Sequence, residues 1–387
     1  MKGPVTSFKL GRVETMKVMM ILFVLVSIQA DLTDMKEQHP HSGNGNAAID
    51  FKGVDVFWSI MEDLQKDQEP SDSDWNNLFS TPCYTYIIQS TSPKVLKKRF
   101  RLAYMPKLFK EREAIIEKGG YNARILNHLI SVDKKQIARY VDSVQGNPFI
   151  EKSLLLTSEY LPKNFIKENK GLTPTISFGI FEPDGQASRD IIAMDIWFAM
   201  GIDVLKFFAH EAHHSFISNI RRPTKKVDDE GLRFLLMSIR QLHLEGIADL
   251  IDKREIIANA DVTEEEDWYG YHYNNYFKET KETLKKIDDL LVESSSLNDN
   301  PKGKEIWNLL HFGTHPEAMH MALAIENTFG KDHIIAILDN PFKLFWSYQK
   351  VAHIRPQLAH KFSQESMDYL KSLEAQYLME SSNSTQN

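Results

Sequence analysis

Between Phe207 and Ile217 the chain reads "FFAHEAHHSFI", with three histidines and a glutamate inside five positions of an otherwise apolar run. His210-Glu211-Ala212-His213-His214 contains the spacing H-E-x-x-H. On an α-helix, residues four apart lie on one face about one turn apart, so the imidazoles of His210 and His214 can converge on a single ion. Neutral imidazole is a good zinc ligand, and a catalytic zinc has three protein ligands and a water in the fourth position. Glu211 sits beside the first histidine, where its carboxylate can reach that water, take its proton and later deliver it to a leaving amine. The flanks "VLKFFA" and "FISNI" make this helix largely buried, and a buried histidine pair needs a partner or a metal. His213, between the two, is read as a supporting or structural histidine.

A third ligand must come from elsewhere in the chain. A third histidine six residues after His214, preceded by a glycine, is ruled out because Ile217 and Ile220 occupy those positions. A glutamate on the following helix is the main alternative, and "LHLEGIADLID" offers Glu245 among Leu242, Leu244, Ile247 and Leu250, which are core-type residues. Asp249, four residues later on the same face, is placed to accept the outer N–H of a liganding histidine. Gly246 and Ala248 are small, which lets this helix approach the first closely.

The elements that must position these groups follow from periodicity. Helical spacing covers roughly 54–64, 94–117, 121–131 and 133–144, so the N-terminal region, 49–170, is expected to be mainly helical. The texture changes near residue 174, where Thr175–Phe181 and Ile191–Phe198 read as two strands of a hairpin around "EPDGQAS". Helices are expected from about Asp203 past Ser218, over Glu230–Lys253, and over 264–294, 316–329 and 357–379. The segment "DNPFKLFWSYQ" is a Pro-marked turn leading into aromatic residues. The expected class is α+β, mostly α, with a small sheet about 175–198 before the H-E-x-x-H helix, a region 171–380 that carries the chemistry, and a disordered tail at 381–387.

The chain has 387 residues, 42% of them hydrophobic and 26% charged, enough apolar material for a sizeable core. A net charge of −7 without long basic blocks argues against a nucleic-acid partner. Lys2, Lys9, Arg12 and Lys17 precede the apolar run "VMMILFVLVSIQA", which is shorter than a membrane span and reads as the core of a signal peptide over residues 1–30. Ile28 stands where a small residue is preferred before cleavage, so an uncleaved anchor is the alternative. Cleavage would remove those four bases and Glu14, a net +3, taking the chain from −7 to −10. Residues 31–48 read as a flexible leader. Cys83 is the only cysteine, so no internal disulfide forms, and export without disulfides suits a bacterial periplasm or a secreted bacterial protein. No stable membrane insertion is expected after cleavage.

An H-E-x-x-H helix, a later helix carrying E-G-x-A-D and a β-hairpin just before the first helix resemble the gluzincin, or thermolysin-like, zinc metallopeptidases. The chain is closer still to bacterial exported proteins described as zinc-dependent peptidases of unknown function, through "WNNLFSTPCY", the two metal helices, "HPEAMHMALAIENTFG" and "LDNPFKLFWSY". The resemblance implies a zincin-like fold, one Zn²⁺ per chain held by His210, His214 and Glu245, Glu211 as general base, Asp249 supporting the ligands, and a peptide or protein substrate. It implies that Ile191–Phe198 is the sheet edge lining the cleft, where an extended substrate adds as a strand. It also implies a tyrosine or histidine that stabilises the oxyanion. Where the related proteins tend to have a glycine and tyrosines, this chain has Glu317-Ala318-Met319-His320, so His315 and His320 become the catalytic candidates, with Tyr348 behind them. Two other readings stay open. Glu211-x-x-His214 and Glu317-x-x-His320 match the unit of ferritin-like di-iron carboxylate bundles, although the region before Glu211 supplies only Glu182 and no helix for the fourth ligand. The fold could also serve as a non-catalytic binding module of the cell envelope.

Overall fold

The computed structural model describes residues 49–379 apart from 145–147, 189, 260 and 297–300. The expected signal peptide, the leader 31–48 and the tail 381–387 lie outside the described residues. Among the described residues, eight helices of six residues or more form the N-terminal part: α1 Lys52–Leu64, α2 Asp72–Phe79, α3 Pro82–Ile87, α4 Pro93–Tyr104, α5 Phe109–Lys118, α6 Tyr121–Ser131, α7 Lys134–Val144 and α8 Phe149–Ser158. The single helix expected over 94–117 is two, because Pro106 lacks an N–H and the chain turns there through one 3₁₀ turn.

The sheet has the order β1-β2-β4-β3, with β1 Ile49–Asp50, β2 Thr175–Gly179, β3 Gly185–Ala187 and β4 Ile191–Asp195. It corrects the expected hairpin. β2 and β4 run parallel, paired from Thr175↔Ile191 to Gly179↔Asp195, and the antiparallel partner of β4 is β3, inside the segment read as a turn. β2 and β4 are buried from their second residue onward, as strands with cover on both faces are, so their near-continuous apolar runs carried no alternation to reveal direction. The consequence is that β4 is an interior strand, not the expected edge, and the edges are β1 and, beside β4, β3. Asp195 closes the end of β4, accepting from Phe181 N at 2.7 Å and Phe198 N at 2.9 Å, with His128 Nε2 at 3.0 Å.

The remaining chain is helical: α9 Val204–Ile220, α10 Glu230–Asp252, α11 Trp268–Ser296, α12 Gly303–Leu309, α13 His315–Phe329, α14 Lys331–Ala336, α15 Phe342–Ile354 and α16 Gln364–Tyr377. The aromatic segment after the Pro-marked turn is thus a full helix, α15. Asp203 and Asp229 cap α9 and α10, each accepting a backbone N–H three residues on, which fixes where both helices begin. α8 holds α9 from behind: Ser153 Oγ donates to Leu205 O at 2.8 Å and Thr157 Oγ1 to Ala209 O at 3.0 Å, while Phe149 meets Phe208 edge to face. One cluster of buried apolar side chains runs from Val54 through the sheet to Leu373. Among the described residues no helix is long and apolar enough to cross a membrane.

Candidate metal centre

α9 presents His210 and His214 one turn apart, with ring centroids 4.5 Å apart and planes at 89°. Their Nε2 atoms lie 2.9 Å apart. Glu245, from α10, brings Oε2 to 3.1 Å from His214 Nε2 and 3.3 Å from His210 Nε2. Three potential ligand atoms thus form a triangle with sides of 2.9–3.3 Å. Zinc bonds of 2.0–2.2 Å in a tetrahedron ask for ligand separations of about 3.3–3.5 Å, so the triangle is slightly tight but of the right size. Glu245 is buried, and its Oε2 accepts no hydrogen bond. A buried carboxylate oxygen gathered with two imidazole nitrogens at these distances is stabilised by a cation among them. The residues therefore fit a zinc-type ion with an N₂O donor set.

Glu211 is buried beside the pair, and burial raises its carboxyl above the usual range although the two histidines pull the other way. Asp184, at the entry to β3, is held well above the carboxylate range by burial and by the charges of Glu182 and Glu211. β3 packs against α9. Phe207 reinforces the approach, since a Cβ on Gly185 would lie 2.6 Å from its ring.

The structure distributes the remaining candidates unevenly. His315, at the start of α13, is brought to the centre: its ring lies 5.7 Å from that of His210, and its Nδ1 lies 2.9 and 3.0 Å from the two oxygens of Asp249 and 3.6 Å from Glu245 Oε2. Burial works against the charged form of His315, but the Asp249 and Glu245 carboxylates outweigh it and raise the ring above its ordinary value. His320 is not brought there. Five residues on, about 140° round the helix, its ring packs 5.3 Å from Phe277 and its Nδ1 lies 3.5 Å from Tyr348 Oη, and burial pushes it down to about 4. Glu317 is also turned away, with Oε1 2.6 Å from His311 Nδ1 and Oε2 accepting from His311 N, so the second E-x-x-H unit of a di-iron centre does not face the first. His213 lies behind the site, with Nε2 3.3 Å from Tyr160 O, and burial holds it well below its ordinary value.

Asp249 lies 3.5 Å from His210 Nδ1, while Asp252 Oδ1 stands at 3.0 Å. Asp252 was not among the sequence candidates. Its spacing, seven residues after Glu245 on the same helical face, was a usable signal. Lys253 is partly buried and paired with the Asp252 carboxylate. Tyr273, also missed, donates its hydroxyl to Asp249 Oδ2 at 3.0 Å. Gly246, read as easing the approach of α10 to α9, faces α13 instead: a Cβ there would lie 2.4 Å from Ala318 O.

Two histidines of one helix and a glutamate of the next, with the Glu211 carboxylate beside them, form a group that could hold a metal ion. Residues 75–356, which include every one of these groups, match the family described as "Putative zinc dependent peptidase (DUF5700)". The chain belongs to that family. No curated protein and no solved structure matches it.

Proposed function

We propose that the chain is a zinc-dependent peptidase of the gluzincin type, with a zincin-like arrangement of sheet and metal helices. The observation that carries this reading is the convergence of the buried Glu245 Oε2, His210 Nε2 and His214 Nε2 within 2.9–3.3 Å of one another. His210, His214 and Glu245 would hold the metal, which when bound lowers the pKa of a water and polarises a carbonyl oxygen. Glu211 takes the proton of the attacking water as its oxygen bonds to the peptide carbonyl carbon. It returns that proton to the amide nitrogen as the C–N bond breaks, leaving a carboxylic acid and an amine. Burial raises the Glu211 carboxyl, which favours its taking up a proton. His315 is fixed at Nδ1 by Asp249, which leaves Nε2 to donate to the oxygen that gains charge. The open edge of β3, rather than β4, is the strand beside which an extended peptide adds by backbone hydrogen bonds.

The test is metal analysis of protein purified without added metal, together with the Glu211→Gln variant. About one zinc per chain is expected. The variant should retain zinc and lose peptide hydrolysis by a factor on the order of 10²–10⁴ or more. Two irons, no metal, or unchanged turnover in the variant would each refute the reading. We also propose export to a bacterial periplasm or medium, supported by the basic and apolar pattern of residues 1–30. N-terminal sequencing of the mature protein tests it, and an intact Met1 in the soluble fraction would count against it.

A further inference from the structure

The last turns of α10 carry three carboxylates on one face, Glu245, Asp249 and Asp252, spaced four and three residues apart. A metal-ligating histidine needs an acceptor on its other ring nitrogen, which fixes the tautomer and keeps the lone pair on the liganding nitrogen. Two of these carboxylates lie near His210 Nδ1. Asp252 Oδ1 is at 3.0 Å, a good hydrogen bond, whereas Asp249 Oδ1 is at 3.5 Å, beyond the ordinary range. Asp249 is also fully engaged elsewhere. Both of its oxygens lie within 3.0 Å of His315 Nδ1, and Oδ2 accepts from Tyr273 Oη as well. Asp252, in turn, has Lys253 on its other oxygen, a cation that keeps it ionised and therefore an acceptor. The environments divide the two residues: Lys253–Asp252–His210 on one side, Tyr273–Asp249–His315 on the other.

We infer that Asp252, not Asp249, is the residue that positions His210 for the metal, and that Asp249 with Tyr273 serves the other branch by positioning His315 for the substrate. The inference rests on the zinc site proposed above. It departs from the expectation that the carboxylate four residues after the glutamate ligand supports the first histidine. A metal ligand and a substrate-facing histidine are thereby oriented by neighbouring but separate carboxylates of a single helix. The two functions, metal affinity and turnover, become separable by mutation.

Zinc affinity is measured on the purified chain by competition with a chromogenic chelator, and turnover on zinc-saturated protein with a quenched-fluorescent peptide mixture. Asp252→Asn is expected to weaken zinc binding about 10–100-fold. Asp249→Asn is expected to leave zinc affinity within about threefold of the unmutated chain while lowering kcat more than it raises KM, and Asp252→Glu should restore part of the lost affinity. Because Asp252→Asn leaves Lys253 as a partly buried, unpaired charge, the double variant Asp252→Asn/Lys253→Met is measured beside it, with thermal melting as the folding control. Weak zinc binding in a folded double variant upholds the inference. Zinc binding as tight as in the unmutated chain in the folded double variant, or an equal affinity loss in Asp249→Asn, overturns it while leaving the peptidase reading intact. Failure of the unmutated chain to bind zinc overturns the peptidase reading itself.

Discussion

Gly246 sits one residue after the proposed third ligand, at the crossing of α10 and α13, and its replacement by alanine separates two opposite expectations. In a helix with free space around it, Gly→Ala stabilises by about 0.5–1 kcal/mol, because the backbone loses less freedom on folding. Here the new methyl would meet Ala318 O at 2.4 Å and Ala318 C at 2.8 Å, where ordinary contact begins at 3.4 Å, a shortfall of 3.4 − 2.4 = 1.0 Å against backbone that has no rotamer to change. Overpacking of this kind costs about 1–3 kcal/mol, so after the helix-propensity gain the net effect is a destabilisation of up to about 2.5 kcal/mol. At about 2–4 °C per kcal/mol for chains of 150–250 residues, and less for longer ones, the melting temperature should fall by a few degrees. The consequence for the site is more selective. His210, His214 and Glu245 belong to α9 and α10, so their mutual distances should survive. His315 belongs to α13, and a displacement approaching 1 Å would stretch its 2.9 Å contact with Asp249 past hydrogen-bond range. Gly246→Ala is therefore expected to bind zinc nearly as well as the parent, to melt lower and to turn over more slowly. Melting of the zinc-loaded protein, chelator competition and peptide hydrolysis measure the three. A higher melting temperature, or lost zinc affinity with normal turnover, would refute the packing argument.

Two further expectations concern protons and metal. His243 is buried with Nε2 3.0 Å from Ile337 O, and burial pushes it down to about 4, so between that value and its unfolded pKa of about 6.5 the unfolded chain binds a proton that the native state refuses. Its contribution is thus present above pH 6.5 and is lost as the pH falls, by up to about 1.4 kcal/mol per unit; denaturant titrations should show the gap between the parent and His243→Gln narrowing from pH 6.5 to 4.5, and parallel curves would contradict the assignment. Removing metal with a chelator should lower the melting temperature, and zinc at about a thousand times its dissociation constant should restore about 4 kcal/mol; scanning calorimetry with zinc and magnesium add-back decides it, and equal recovery with magnesium would argue against an N₂O zinc site.

What could be read from the chain follows the range of the physics involved. His210, Glu211 and His214 are fixed relative to one another by helix geometry alone, so their arrangement was legible from three letters and a spacing. Glu245 was legible because core-type neighbours made a solvated glutamate implausible there. The edge strand was not, because β3 is three half-buried residues, Gly185–Ala187, whose pairing with β4 rather than β2 is a tertiary choice. Asp252 was hidden because its partner, Lys253, is its chain neighbour, and sequence does not say which adjacent charges pair.

The choice between His315 and His320 shows the limit most clearly, since both stand on the first turns of one helix and only the entry angle of that helix decides which faces His210 and Glu245. That angle is set by three consecutive residues in the left-handed region, Phe312 at φ 47°, Gly313 at 68° and Thr314 at 88°. Glycine adopts this region freely, but for phenylalanine and a β-branched threonine it costs on the order of 1–3 kcal/mol each, and nothing in "HFGTH" announces it. Such strain persists only where surrounding contacts over-determine it. Here Thr314 is fully buried, and the residue that follows is clamped by Asp249, which Tyr273 clamps in turn. The unfavourable turn and the Tyr273–Asp249–His315 contacts therefore belong to one arrangement: the contacts stabilise the turn, and the turn presents His315 rather than His320 to the centre.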